Sequence, residues 1–143
     1  AMTQPGPRVE KPGLLSPLNL AFVGDGVYEL LVRVHLASLG NAHVGRLHAL
    51  AVGLVCANAQ SAAYELIAPA LTEEEEAVFK RGRNANSTHT PKHTDPVVYR
   101  RATGLEALFG YLYLSGRVER VYELFGMILD GMPPVALGEA SPE

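Results

Sequence analysis

The chain has a single cysteine, Cys56, among its 143 residues. One thiol excludes an intramolecular disulfide and any thiolate metal cluster within one chain. Long hydrophobic runs are missing too: the longest apolar stretches reach about ten residues, short of the roughly 18 to 20 that a bilayer requires. No basic, apolar and small-residue series opens the chain as an export signal does, so a cytoplasmic protein without membrane contact is expected. Ala1, ahead of Met2, reads as a cloning remnant before the natural methionine. Strand signals are scarce and no internal repeat is visible, which leaves an all-α class. There is no excess of positive charge either, since the formal net charge is -3.

What is present fits one globular domain. Hydrophobic residues make up 48% of the chain and charged residues 19%, a balance that supports a core and argues against disorder. Residues 1–13 hold three prolines and little that packs, and residues 133–143 are similar. Both are expected to be flexible, flanking a folded unit over 14–132. The charge is also segregated. Between Lys80 and Arg101, six basic residues face only Asp95, a local +5 that leaves -8 for the remainder. Local clusters set the nearby field, so this segment is a candidate basic face for a polyanion.

Helical periodicity organises the centre. Leu20, Val23, Val27, Leu30 and Val34 recur at alternating spacings of three and four and predict a helix over Leu18–Leu39, with Gly40 as a C-cap. A second long helix is predicted from about Val44 to Leu66, carrying Leu47, Leu50, Leu54 and Ala57. Thr72 followed by Glu75 is a capping box, and the glutamates Glu73 to Glu76, with Lys80 and Arg81 at the far end, complement a helix dipole. The stretch from Gly82 to Pro96 reads as a loop. A further helix runs from about Asp95 to Ser115, and Gly116 breaks it. The last helix carries Val118, Val121, Leu124, Phe125 and Ile128 on one stripe. The five histidines are scattered and suit surface or loop roles.

Two acids do not fit this pattern. From Leu105 to Leu114, Glu106 is the one charge among Ala, Leu, Phe, Tyr and Gly, and from Leu20 to Val27 Asp25 is the one charge among apolar residues and Gly. An unpaired carboxylate withdrawn from water shifts its pKa, finds a cation or lines a wet cleft. Gly24 and Gly26 each weaken the first helix by roughly 1 kcal/mol relative to Ala. Their small size suggests a close helix crossing, near Gly24 and Gly110, that brings Asp25 and Glu106 together over a shared cation. Hard oxygen donors without Cys favour Mg²⁺ or Mn²⁺ over zinc. Glu29, one turn after Asp25, either extends this acidic site or pairs with Arg33.

Three blocks then carry a family resemblance: "LAFVGDGVYE" at 20–29, "EEEEAVFKRGRNANS" at 73–87 and "YRRATGLEALFGYLYLSGR" at 99–117. Together they resemble Mini-ribonuclease III, the small bacterial branch of the ribonuclease III family, over about Pro17 to Leu129. The resemblance implies a ribonuclease III-type helical domain that works as a homodimer, needs Mg²⁺ (with Mn²⁺ as a substitute) and cuts double-stranded RNA. It implies maturation of the large-subunit (23S) ribosomal RNA precursor, leaving 5′-phosphate and 3′-hydroxyl ends. The family aspartate and glutamate fall on Asp25 and Glu106. The two further carboxylates of full-length ribonuclease III would fall where this chain has Ala21 and Thr103. Phe22 falls where larger relatives place an aromatic contact with the partner subunit; ordinary core packing is its alternative. With no separate RNA-binding domain, RNA binding is expected from Arg81, Arg83, Asn84 and Lys92 on a flexible loop, since A-form RNA is gripped mainly through its backbone.

Two rivals make distinct structural demands. A non-catalytic helical dimer binding structured RNA or protein requires Asp25 and Glu106 to be paired with buried arginines such as Arg33 or Arg100. A nucleotide pyrophosphohydrolase would use Glu73 to Glu76 as metal ligands.

Overall fold

A computed structural model describes residues 7–85 and 92–138. Residues 86–91, which include His89 and the middle of the expected basic loop, lie outside the described residues, as do the outermost parts of the two expected flexible ends. Six α-helices follow a 3₁₀ turn at Pro12–Leu14: α1 Pro17–Ser38, α2 Val44–Val55, α3 Ala57–Ile67, α4 Glu73–Asn84, α5 Pro96–Leu114 and α6 Val118–Gly131. No strand occurs among the described residues.

The helix ends follow the local code. Ser16 caps α1 by accepting from the Asn19 N–H at 3.2 Å, with Pro17 at the first helical position. Asp95 caps α5 through the Val97 N–H at 2.9 Å. Thr72 and Glu75 form the reciprocal capping box that opens α4. Gly116 ends α5 in the left-handed region, φ 77°. There the Arg117 N–H reaches the Leu112 carbonyl at 2.9 Å and the Gly116 N–H reaches Tyr113 at 3.0 Å, the Schellman arrangement in which glycine carries no Cβ penalty.

α5 is the central helix, packed by α1, α3, α4 and α6. Ala102, Leu105, Leu108, Phe109 and Leu112 are buried along it, which explains a sequence with so little polar surface. The core continues through Tyr28, Ile67, Leu124 and Ile128, and Tyr28 meets Phe109 and Phe125 edge-on at 5.3 and 5.6 Å. From residue 132 to 138 the chain is irregular but anchored: Val135 packs on the core and Arg46 donates to the Ala136 carbonyl at 3.2 Å.

Two expectations need correction. The single helix predicted over residues 44–66 is two helices, bent by 56° at a break where Cys56 is extended, φ -64° and ψ 160°. Neither Pro nor a left-handed Gly marks the break, so tertiary packing overrides an Ala-rich sequence that would otherwise continue. The turn points Gln60, Ser61, Ala63 and Ile67 inward. The stripe read on α1 is only partly the core face: Leu20 is buried and Val27 packs against the core. Ala21, Gly24, Tyr28 and Val32 face inward, whereas Leu30 is 61% and Val34 59% exposed. α1 is apolar on both sides, and periodicity alone does not say which side meets α5. Among the described residues no single helix is long and apolar enough to cross a membrane.

Candidate active site

The site begins with two glycines. A Cβ on Gly24 would stand 1.6 Å from the Glu106 carbonyl oxygen, and one on Gly110 would stand 2.0 Å from the Leu20 carbonyl oxygen. Each position therefore excludes every residue but glycine, and the backbones of α1 and α5 touch. Asp25 follows Gly24 directly and Glu106 lies one turn before Gly110, so the crossing sets the two side chains beside each other. Glu106 is half-buried and hydrogen-bonds Asp25, which is exposed. From α3, Gln60 Nε2 lies 3.5 Å from Glu106 Oε2.

The electrostatics follow from this arrangement. Burial pushes the Glu106 carboxyl up to about 8, the hydrogen bond and like charge of Asp25 push in the same direction, and the Gln60 amide opposes them. Burial and the neighbouring acid thus both disfavour the charged form of Glu106 while no cation stands beside it. The arginines that the non-catalytic rival requires are elsewhere: Arg33 pairs with Glu29 at 3.0 Å on the α1 surface, and Arg100 is exposed. Glu29 thus takes its surface-pair role.

Three of the four consecutive glutamates serve the fold. Glu74 accepts from Arg117 at 2.7 Å and from the Tyr111 hydroxyl at 3.0 Å, and Glu76 accepts from the Tyr64 hydroxyl at 2.7 Å. Glu75 is held by Arg120 and the Thr72 N–H. Three of the four are thereby engaged with protein groups, which removes the basis of the pyrophosphohydrolase reading.

The basic segment also differs from expectation. Arg81, Arg83 and Asn84 stand on the last turn of α4, not in a loop, because cationic side chains near a helix C-terminus extend it. Arg81 and Lys92 are exposed. Arg83 lies over the Phe79 ring, 5.9 Å from its centroid, and its Nε donates to Asn84 Oδ1 at 3.1 Å. A second tight crossing positions this turn, since a Cβ on Gly82 would meet the Ala107 Cβ at 2.7 Å and the Thr103 carbonyl at 3.3 Å. The cationic turn therefore sits beside the α5 segment that carries Glu106. Phe22 is 82% exposed, which excludes core packing.

Sequence reasoning missed Gln60. A glutamine among alanines raises no energetic alarm, because Gln is ordinary on helix surfaces, and only the break at Cys56 turns it inward.

Comparison with known proteins agrees with this architecture. The ribonuclease III domain family matches residues 18–117. The Mini-ribonuclease 3 of Symbiobacterium thermophilum is 46% identical, over 86% of this chain and 95% of its own length. The Mini-ribonuclease 3 of Brevibacillus brevis is 48% identical over 79% and 84%. This chain belongs to the Mini-ribonuclease 3 branch of the ribonuclease III family. It is an endoribonuclease of the ribonuclease III type, acting on double-stranded RNA. A crystal structure of a Fusobacterium nucleatum protein shares the fold with a TM-score of 0.76 at 29% identity, covering 86% of this chain and 98% of that one. The matched span includes both acids, Phe22 and the basic turn of α4, so the helix crossing lies within the family's shared frame.

Proposed function

We propose that Asp25 and Glu106 hold a Mg²⁺ ion, which Mn²⁺ can replace, and that this pair is the hydrolytic centre. The observation that carries the reading is a pair of acids at a glycine-only helix crossing with, among the described residues, no cationic side chain to neutralise them. The donor set fits such an ion. Among the described residues no group of three or more His, Cys, Asp or Glu could close a cage, and Mg²⁺ characteristically uses one or two carboxylates, several waters and substrate phosphates. Bound there, the ion supplies Lewis acidity toward the phosphate and lowers the pKa of a water molecule.

The chain's own contributions are orientation and grip. Asp25 and Glu106 present carboxylate oxygens from two helices whose spacing the backbone contact fixes. Water adds at phosphorus, the P–O3′ bond breaks, and the leaving oxygen takes a proton, giving 5′-phosphate and 3′-hydroxyl ends. Arg81, Arg83, Asn84 and Lys92 hold the RNA backbone. The physiological duplex we assign is the large-subunit (23S) ribosomal RNA precursor. Duplex RNA incubated with the protein and Mg²⁺ is expected to be cut, and excess chelator to stop the reaction; cleavage that persists in chelator overturns the reading.

The active form we assign is a homodimer. Phe22, Leu30 and Val34 are exposed apolar residues on α1, and a groove lined by Val23, Leu30, Tyr113 and Tyr122 includes one of them. Exposed apolar surface of this extent marks an interaction face. A two-fold pairing through it would present two sites to the two strands of one duplex. Phe22→Asp should shift the sedimentation coefficient from dimer to monomer, and an unchanged dimer moves the interface elsewhere.

A further inference from the structure

The buried polar residues on α3 and α4 have different histories. Glu75 is fully accounted for by its cap and by Arg120. Gln60 is only 2% exposed, yet it caps nothing, and its amide reaches across to α5 at the one carboxylate proposed to bind a cation. We propose that Gln60 is a positioning residue of the active site, its side-chain amide holding Glu106 Oε2 so that the other carboxylate oxygen turns toward Asp25. The proposal rests on the reading that Asp25 and Glu106 bind a divalent ion.

The chemistry of the alternatives explains why an amide suits this place. An arginine or lysine would form an ion pair with Glu106 and occupy the position meant for the cation. A third carboxylate would add repulsion to a pair already strained by like charge. An apolar side chain would strip Glu106 Oε2 of water and offer no donor in return. The neutral amide donates without competing for charge. At 3.5 Å its contact is at the long limit of a hydrogen bond, so it orients the carboxylate without locking it. Its placement depends on the break at Cys56: a helix running straight on from α2 would carry Gln60 past α5 instead of beneath it.

The test uses Gln60→Met, which keeps length and loses the donor, and Gln60→Asn, which keeps the amide and loses reach. Mn²⁺ binding to the RNA-free protein is titrated by calorimetry beside duplex cleavage kinetics. Both variants should bind Mn²⁺ about tenfold more weakly, the usual consequence of removing a group that orients a metal ligand. Their kcat should fall comparably while KM for RNA holds. A variant with wild-type Mn²⁺ affinity overturns the proposal, even if its melting temperature drops, because a purely structural role predicts that combination. Asp25→Asn separates the two levels. If it binds Mn²⁺ like wild type, the carboxylate-pair reading falls; if it loses binding while Gln60→Met and Gln60→Asn keep it, only the role of Gln60 falls.

Discussion

Glu75 and Glu106 are both withdrawn from water on helices, and the chain treats them in opposite ways. The Glu75 side chain is 3% exposed, accepts from Arg120 through Nε and Nη2 at 2.8 Å each, and accepts from the Thr72 N–H at 2.9 Å. The Arg120 guanidinium holds its carboxyl below the usual range against the upward pull of burial. Glu106 has a second acid and a neutral amide for company, and burial with Asp25 holds it far above that range. The difference underlies the proposed division of roles: Glu75 is satisfied within the protein, and Glu106 is the acid we assign to a cation.

The largest expected effect tests that division directly. Asp25→Asn or Glu106→Gln should lower duplex cleavage by about a thousandfold, the scale of losing a preorganised electrostatic stabiliser, while RNA binding and circular dichroism stay as in wild type. Glu75→Gln, measured per folded molecule, should leave cleavage near wild type. Wild-type turnover by Asp25→Asn erases the contrast.

Stability should respond in opposite directions. Glu75→Ala removes two of the Arg120 contacts, leaving those to Glu123 and the Ala70 carbonyl, and breaks the capping box with Thr72, and should cost about 2 kcal/mol in urea titration. The Glu75 carboxyl is lowered in the folded state, so its contribution is present above its ordinary value of 4.5 and lost as pH falls below it. For Glu106 the sign reverses. Its folded value is raised from 4.5 to about 8, so its favourable contribution is full below 4.5 and disappears as pH climbs through that interval. In chelator, Glu106→Gln should therefore gain roughly 2 kcal/mol over wild type at pH 8 to 9, discounted for partial solvent access, and little at pH 5. Parallel melting curves at all pH values contradict this assignment.

The smallest effect concerns the cations on the last turn of α4, where that helix presses on α5. Arg81→Ala with Arg83→Ala should weaken duplex RNA binding about tenfold and flatten the salt dependence by up to about two charges. Unchanged affinity across a salt series places the grip on another surface.

Much of this was legible in the residues, and the failures share a cause. Asp25 and Glu106 stood out because a charge in an apolar helix is costly wherever the helix ends up. The caps at Ser16, Thr72, Asp95 and Gly116 mark helix ends through short-range chemistry alone. The inward face of α1 was misread because Val23, Leu30 and Val34 are as apolar as a core stripe, and sequence periodicity does not distinguish burial within a chain from exposure on its surface. The break at Cys56 and the inward turn of Gln60 arise from packing against α5, a relation absent from the local sequence. Arg81 and Arg83 looked like loop residues because Gly82 lies between them, yet that glycine is what lets α4 press against α5 at Thr103 and Ala107.

The contact at Gly24 and Gly110 leaves α1 and α5 no slack. Main chain rests on main chain, so the gap between Asp25 and Glu106, the two acids proposed as catalytic, is gauged by peptide atoms and not by adjustable side-chain packing. Substitutions elsewhere in the bundle can loosen or tighten the periphery without reaching that gap, and the active centre inherits the dimensional constancy of the backbone itself.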